Sequence, residues 1–238
     1  MKRMILLTVL LAGAGQAEIL WRGDFETGDL SQWSGALNAS LGARQNIAVV
    51  DAPVFQGRRA ARIDIHPDDL FPNQHNRVEL HYDARQTGEG QETFFSLRFL
   101  LPENSKVHED IAYWETQGPS YQQSMALYID PSGDGTRLGF RTNLPAAREH
   151  WTGHITVGEW HQIAMHVVWS QSAKRGRVSL WLDGRPVVQD VPAQTKPNPA
   201  GLFVQTGFHR DNSQPFSESI YLDDAIEATS LKEVLTGQ

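Results

Sequence analysis

The 238-residue sequence predicts an all-β fold, an antiparallel β-sandwich with a concave substrate cleft. Three observations predict it. Many short stretches alternate apolar and polar residues, the period of a strand with one buried face. Turn residues punctuate them at short intervals, as in Asp183-Gly184 and Asp130-Pro131-Ser132-Gly133-Asp134-Gly135. Beyond the N-terminal apolar run, no segment sustains a helical period. Seven Trp and ten Phe in a chain that is 40% hydrophobic supply a core, or a cleft lined with aromatics.

Taken in order, Glu18 to Phe25 reads as the first strand, with Ile19, Trp21 and Phe25 inward. Ile47 to Asp51 and Ala60 to His66 alternate and follow as strands. Pro67 to His75, rich in Asp, Pro and Asn, is a loop at the cleft rim. Arg77 to Tyr82 is the next strand, then Glu92 to Leu101, which Pro102 ends. Ile111 to Gly118 runs out into polar residues. Ser124 to Ile129 and Arg137 to Thr142 make a hairpin around the 130–135 turn. That turn lacks the terminal Glu and the flanking helices of a helix–loop–helix calcium site. Gln162 to Trp169, Arg177 to Leu182, Arg185 to Gln189, Gly201 to His209 and Ser219 to Ala228 complete the strands. The tail from Thr229 is expected to form a short helical turn.

Lys2 and Arg3 precede the apolar run Met4 to Ala12, and Gly15-Gln16-Ala17 offers small residues for cleavage. The pattern reads as a secretory signal peptide over residues 1–17, leaving one domain over 18–238. The run is short for a membrane span. A secreted or periplasmic protein, with no membrane partner and expected to be a monomer, follows. Removing Lys2 and Arg3 lowers Lys+Arg from 21 to 19 against 28 acidic residues, a net charge of −9. That balance argues against a nucleic-acid partner. A local basic patch can still take an anionic polysaccharide. With no Cys, an exported chain is held by its core or by a metal. Asp24 and Glu26 in an acidic turn, with Asp223 near the other terminus, are candidate ligands of a structural Ca²⁺, since hard cations take carboxylate oxygens from turns.

The candidate site centres on Asn76-Arg77-Val78-Glu79-Leu80-His81. In a strand, Arg77, Glu79 and His81 share one face while Val78 and Leu80 enter the core. A second polar cluster spans Gln205 to Asn212. With Arg77-Val78-Glu79-Leu80, Gly158-Glu159-Trp160-His161, Leu182-Asp183-Gly184 and Phe203-Val204-Gln205-Thr206-Gly207-Phe208-His209-Arg210, nearly the whole mature chain resembles the jelly-roll (concanavalin A-like) polysaccharide lyases of the heparin lyase I, glucuronan lyase and alginate lyase type. The Gly-Glu-Trp-His and Leu-Asp-Gly segments are shared with many concanavalin-like modules and speak for fold alone.

The resemblance implies β-elimination on a uronic-acid polymer, with no cofactor for catalysis. Such chemistry neutralises the substrate carboxylate, removes the C5 proton and protonates the leaving oxygen. By resemblance, Arg77, Gln117 and His209 are the candidate catalytic residues. Glu79, His81, Glu115, Gln205 and Arg210 are candidate substrate contacts, with Glu79 orienting Arg77. The chain differs from the family pattern in having Gln117 where a His is usual, Glu115 where a Gln is usual, Gln205 for a Lys and His209 for a Tyr. Tyr113, Trp114 and Tyr121 are read as core aromatics before sugar platforms, and Tyr221 as packed in the closing strand. Two other readings stand beside the lyase. One is a non-catalytic carbohydrate-binding module. The other is a glycoside hydrolase, for which Glu79 and Glu115 are the one carboxylate pair available.

Overall fold

A computed structural model describes residues 17–71, 75–118 and 120–236. The leader expected over residues 1–17 therefore lies, up to residue 16, outside the described residues. The chain forms β1 (Ile19–Gly23), β2 (Gly35–Leu37), β3 (Ser40–Leu41), β4 (Arg44–Gln45), β5 (Ile47–Val50), β6 (Ala60–Ile65) and β7 (Asn76–Asp83). It continues with β8 (Glu92–Leu100), β9 (Glu109–Thr116), β10 (Gln123–Ser132), β11 (Gly135–Thr142) and β12 (Arg148–Ile155). Last come β13 (Trp160–Val168), β14 (Arg177–Leu182), β15 (Arg185–Pro192), β16 (Leu202–Arg210), β17 (Glu218–Ala228) and the short helix α1 (Leu231–Thr236).

Two large antiparallel sheets make a sandwich. The back sheet runs β15-β14-β13-β8-β17-β6-β5, with β1 also paired to β17. The front sheet runs β12-β11-β10-β9-β16-β7-β2. Strict alternation builds the layer between them. In β7, Val78, Leu80 and Tyr82 are buried, and in β8, Phe95, Leu97 and Phe99 meet them from the opposite sheet. Trp21 stacks on Tyr82 with ring centroids 3.6 Å apart, and Phe95 meets Trp114 edge-on at 5.6 Å. Aromatic contacts of this kind add to the area they bury. The Tyr82 hydroxyl donates to Glu227 at 2.5 Å, so its polar end is satisfied inside the core.

The outer face of the back sheet is apolar around Phe94, Ala164, Trp181, Ile226 and Ala228, and α1 covers it with Leu231, Val234 and Leu235. The expected strands are present with ends shifted by a few residues, and the expected helical turn is α1. Edge strand β12 and the short strands β2, β3 and β4 were not expected. Strand β12 is largely half-exposed and carries His, Trp, Thr and Gly, so it lacks a clear apolar rhythm.

Candidate active site

The outward face of the front sheet carries the polar cluster. Strand β7 pairs with β16 so that Arg77 stands opposite His209, Glu79 opposite Gly207 and His81 opposite Gln205. Strand β9 adds Tyr113 opposite Gln205 on the other side of β16. Gly207 is what allows the approach. Its φ of 138° lies where side chains are rarely accommodated, and a Cβ there would sit 2.3 Å from the Val78 carbonyl oxygen. The register of β16 against β9 also shifts between Thr206 and His209. A bulge of this kind re-aims side chains.

Arg77 is held from three sides. Its Nε donates to Glu79 Oε2 at 2.6 Å, and its Nη2 donates to the Tyr113 hydroxyl and to Gln205 Oε1, each at 2.8 Å. The Tyr113 hydroxyl donates in turn to Gln205 Oε1 at 2.5 Å. Among the described residues no acceptor is hydrogen-bonded to Nη1 of Arg77, which leaves one arm of the fork for a ligand. Phe71 lies under the guanidinium at 5.1 Å.

The protonation states diverge across this cluster. Burial pushes the Glu79 carboxyl up to about 7, against the opposing pull of Arg77. Burial, with Glu79 beside it, holds the Tyr113 hydroxyl far above the usual phenol range, so it keeps its proton. Burial and the neighbouring Arg77 and His75 push the His209 imidazole down to about 4, so it is neutral near pH 7. The His209 ring lies 4.9 Å from His75 and 5.4 Å from Tyr113. A proton donor and a proton acceptor thus stand side by side next to a guanidinium. Environments that push neighbouring titratable groups apart in this way suit acid–base chemistry.

Beside Arg77 a hollow of about 510 Å³ opens, with His81, Asp83, Glu115, Gln117 and Gln205 as its polar lining. Leu37, Phe71, Phe203 and Tyr121 supply apolar walls. His81 pairs with Asp83 at 3.0 Å and packs on Phe203, and Gln117 donates to the same Asp83 at 3.1 Å. A smaller hollow of about 220 Å³ borders His209, with His108, Asp110 and Arg141 in its lining.

The model for the family described as "Polysaccharide lyase" matches residues 25–225. The chain belongs to the polysaccharide lyase family. No curated protein sequence matches it. Among solved structures it is similar to the endo-β-1,4-glucuronan lyase from the fungus Trichoderma reesei, at 17% identity and a TM-score of 0.72 over 91% of this chain and 98% of that one. It is also similar to a family 131 β-glucanase catalytic domain from Podospora anserina, at 16% identity and a TM-score of 0.63 over 90% and 96% of the chains. A family 7 alginate lyase in complex with substrate matches at 10% identity and a TM-score of 0.58 over 78% and 82%. At these identities the likenesses establish the shared sandwich.

In this polysaccharide lyase, Arg77, Glu79, His81, Gln205 and His209 come together on the front sheet, with Glu115 and Gln117 beside them in the hollow. Arg210, expected to touch substrate, has its side chain on the other side. It is 1% exposed and donates from Nε to Glu109 at 2.6 Å and from Nη2 to Glu218. Neither His209 nor Arg210 lines the main hollow; both border the smaller one, where Arg210 is committed to Glu109 and Glu218. Tyr221 lies in the back sheet, between Arg62 and Leu100. Tyr113, read from sequence as a core aromatic, brings its hydroxyl to Arg77 and Gln205 instead. It has the same strand parity as Glu115, which was the available signal.

The carboxylates expected to cage Ca²⁺ have other partners. Glu26 Oε1 accepts from the backbone amides of Arg58 and Arg59, Asp24 Oδ1 from Gln32 Nε2, and Asp223 Oδ2 from the amides of Phe55 and Gln56. The neighbouring Asp224 is bound by the guanidiniums of Arg22 and Arg98. Among the described residues no group of three or more His, Cys, Asp or Glu is placed to hold a metal ion. With these partners in place, Asp24, Glu26 and Asp223 do not form the expected cage.

Proposed function

We propose that this polysaccharide lyase cleaves a uronic-acid-containing polysaccharide by β-elimination, without a cofactor. The observation that carries the reading is the Arg77–Tyr113–Gln205 cluster beside a neutral His209. Arg77, pre-oriented by Glu79, binds the uronate carboxylate through its remaining arm and Gln205 helps fix its position. Withdrawing charge from that carboxylate acidifies the C5 proton, and His209 takes it as the general base. Tyr113 keeps its proton at neutral pH and gives it to the leaving glycosidic oxygen. The C4–O bond breaks as the C4–C5 double bond forms. His81 and Gln117, both tied to Asp83, contact the sugar at the other side of the hollow.

Among the described residues no helix is long and apolar enough to cross a membrane. The basic–apolar–small pattern of residues 1–17 supports an exported enzyme. We take it to act as a monomer on an anionic polysaccharide.

The likeness to the β-glucanase domain keeps a hydrolase as the second reading, with Glu115 and Glu79 as the carboxylates. The hydrogen bond from Arg77 to Glu79 weighs against it, because it occupies one member of the pair. The two readings separate on mixing the protein with uronate polymers. Elimination generates the ultraviolet absorbance of an unsaturated uronate, and His209→Ala and Tyr113→Phe each abolish it. Hydrolysis generates reducing ends without that absorbance and would overturn the proposal.

A further inference from the structure

The main hollow holds more negative than positive charge. Among the described lining residues Arg77 supplies the guanidinium, and its Nε is already bound to the buried Glu79. Asp83 and Glu115 then add two carboxylates to the lining. Asp83 receives hydrogen bonds from His81 and Gln117, yet its side chain stays 53% exposed. Glu115 accepts no side-chain hydrogen bond among the described residues, and burial holds its carboxyl above the usual carboxylate value against the opposing pull of Arg77. The walls are aromatic. Tyr121 is 67% exposed, with Phe203 edge-on at 6.2 Å and Gly118 beneath its ring. Such surfaces stack on the apolar face of a sugar and carry no charge preference.

A homopolyuronate carries a carboxylate on every sugar. With one carboxylate at Arg77, any second carboxylate in the hollow would share it with Asp83 and Glu115, where like charge opposes it. We infer that the hollow is built for an alternating heteropolymer, in which the uronate held by Arg77 is flanked by a sugar without negative charge. Asp83 and Glu115 are the residues that reject a second uronate, and Tyr121 and Phe203 are the platform for the uncharged one. The inference rests on the elimination reading for its uronate, and it goes further by naming the repeat of the polymer. Specificity of this kind uses a repulsive element as well as an attractive one.

The test compares hyaluronan, which alternates a uronate with an N-acetylated amino sugar, with glucuronan, a homopolymer of uronate. Both are supplied at equal uronate concentration and equal low salt, and elimination is followed by absorbance. The wild type is expected to favour the alternating polymer by about tenfold or more in kcat/KM, the scale of one close like-charge contact near a protein surface. Asp83→Asn with Glu115→Gln, which keeps size and removes charge, is expected to lower that ratio about tenfold through a gain on glucuronan. Glu115→Gln alone moves it in the same direction. Preference of the wild type for glucuronan, or a ratio that the variants leave unchanged, overturns the inference. If neither polymer is cleaved, the elimination reading is decided on the wider panel of uronate polymers, and retardation of the protein in gels containing each of these two still decides the charge preference. Stronger retardation by hyaluronan, reversed in the double variant, supports it. Stronger retardation by glucuronan in the wild type overturns it.

Discussion

Arg77 and Arg210 stand on neighbouring strands, near the same end of the front sheet, and both are bound to a buried glutamate. Arg77 faces the hollow with one arm free of described acceptors, and its side chain is 11% exposed. Arg210 faces inward, 1% exposed, with Glu109 and Glu218 on two nitrogens and weaker contacts to Asn76 and the Phe216 carbonyl. The same residue type with the same kind of partner serves recognition in one place and cohesion in the other. What separates them is strand parity and whether a donor remains unused. An arginine with every arm satisfied inside the protein ties elements together. One with an open arm on an outward face is available to a carboxylate.

The largest expected effect tests the inward arginine. Arg210→Ala leaves two glutamates facing each other without their cation, and urea unfolding is expected to show a loss of about 3–5 kcal/mol. A variant that unfolds like the wild type but loses activity would reverse the comparison. Next, Arg77→Lys keeps the charge but removes the fork. Activity is expected to fall about 10²–10³-fold, the scale of losing one oriented donor to a developing anion, with the thermal midpoint little changed.

The pH dependence sharpens the same contrast. Burial raises Glu79 to about 7 and Glu109 to about 8. For a carboxyl raised in the folded state, the stabilising contribution is complete below the unfolded value of about 4.5 and is lost as pH rises through the folded value. Unfolding free energy is therefore expected to be lower at pH 8.5 than at pH 5.5. Glu79→Gln is expected to flatten the part of the decline that ends near pH 7. His209 is shifted the other way, so the acid limb of kcat/KM is expected near pH 4 rather than at the usual histidine value. An acid limb near 6.5 would remove His209 as the base.

Two smaller effects complete the set. Tyr121→Ala is expected to raise KM about three- to tenfold with kcat retained, as loss of an aromatic platform does. Adding or chelating Ca²⁺ is expected to leave the thermal midpoint unchanged, since Asp24, Glu26 and Asp223 bind amide donors. A rise with Ca²⁺ would show that these carboxylates regroup around an ion.

Much of this was readable as alternation. Val78 and Leu80 against Arg77, Glu79 and His81 placed β7 correctly, and the pairing of β7 with β16 follows from two polar clusters that must share a sheet face. Arg210 departs from the resemblance because it follows His209 on one strand and so turns inward, a parity that a resemblance carried along a run of residues does not register. His209 already occupied the outward position. Tyr113 shares the parity of Glu115, but an aromatic flanked by Ala112 and Trp114 looks like core until its hydroxyl is seen meeting Arg77. Acids in turns resemble metal ligands in sequence, whereas Glu26 and Asp223 cap amides of the 55–59 segment that is distant in the chain. Long-range partners of this kind leave no local pattern.

The most direct test of the central claim is absorbance in the unsaturated-uronate band while the mature protein acts on a panel of uronate-containing polysaccharides, run beside Arg77→Lys and His209→Ala. A rise with the wild type that falls by at least about a hundredfold in each variant is the predicted result. New reducing ends without absorbance, or a rise that both variants preserve, would contradict the account.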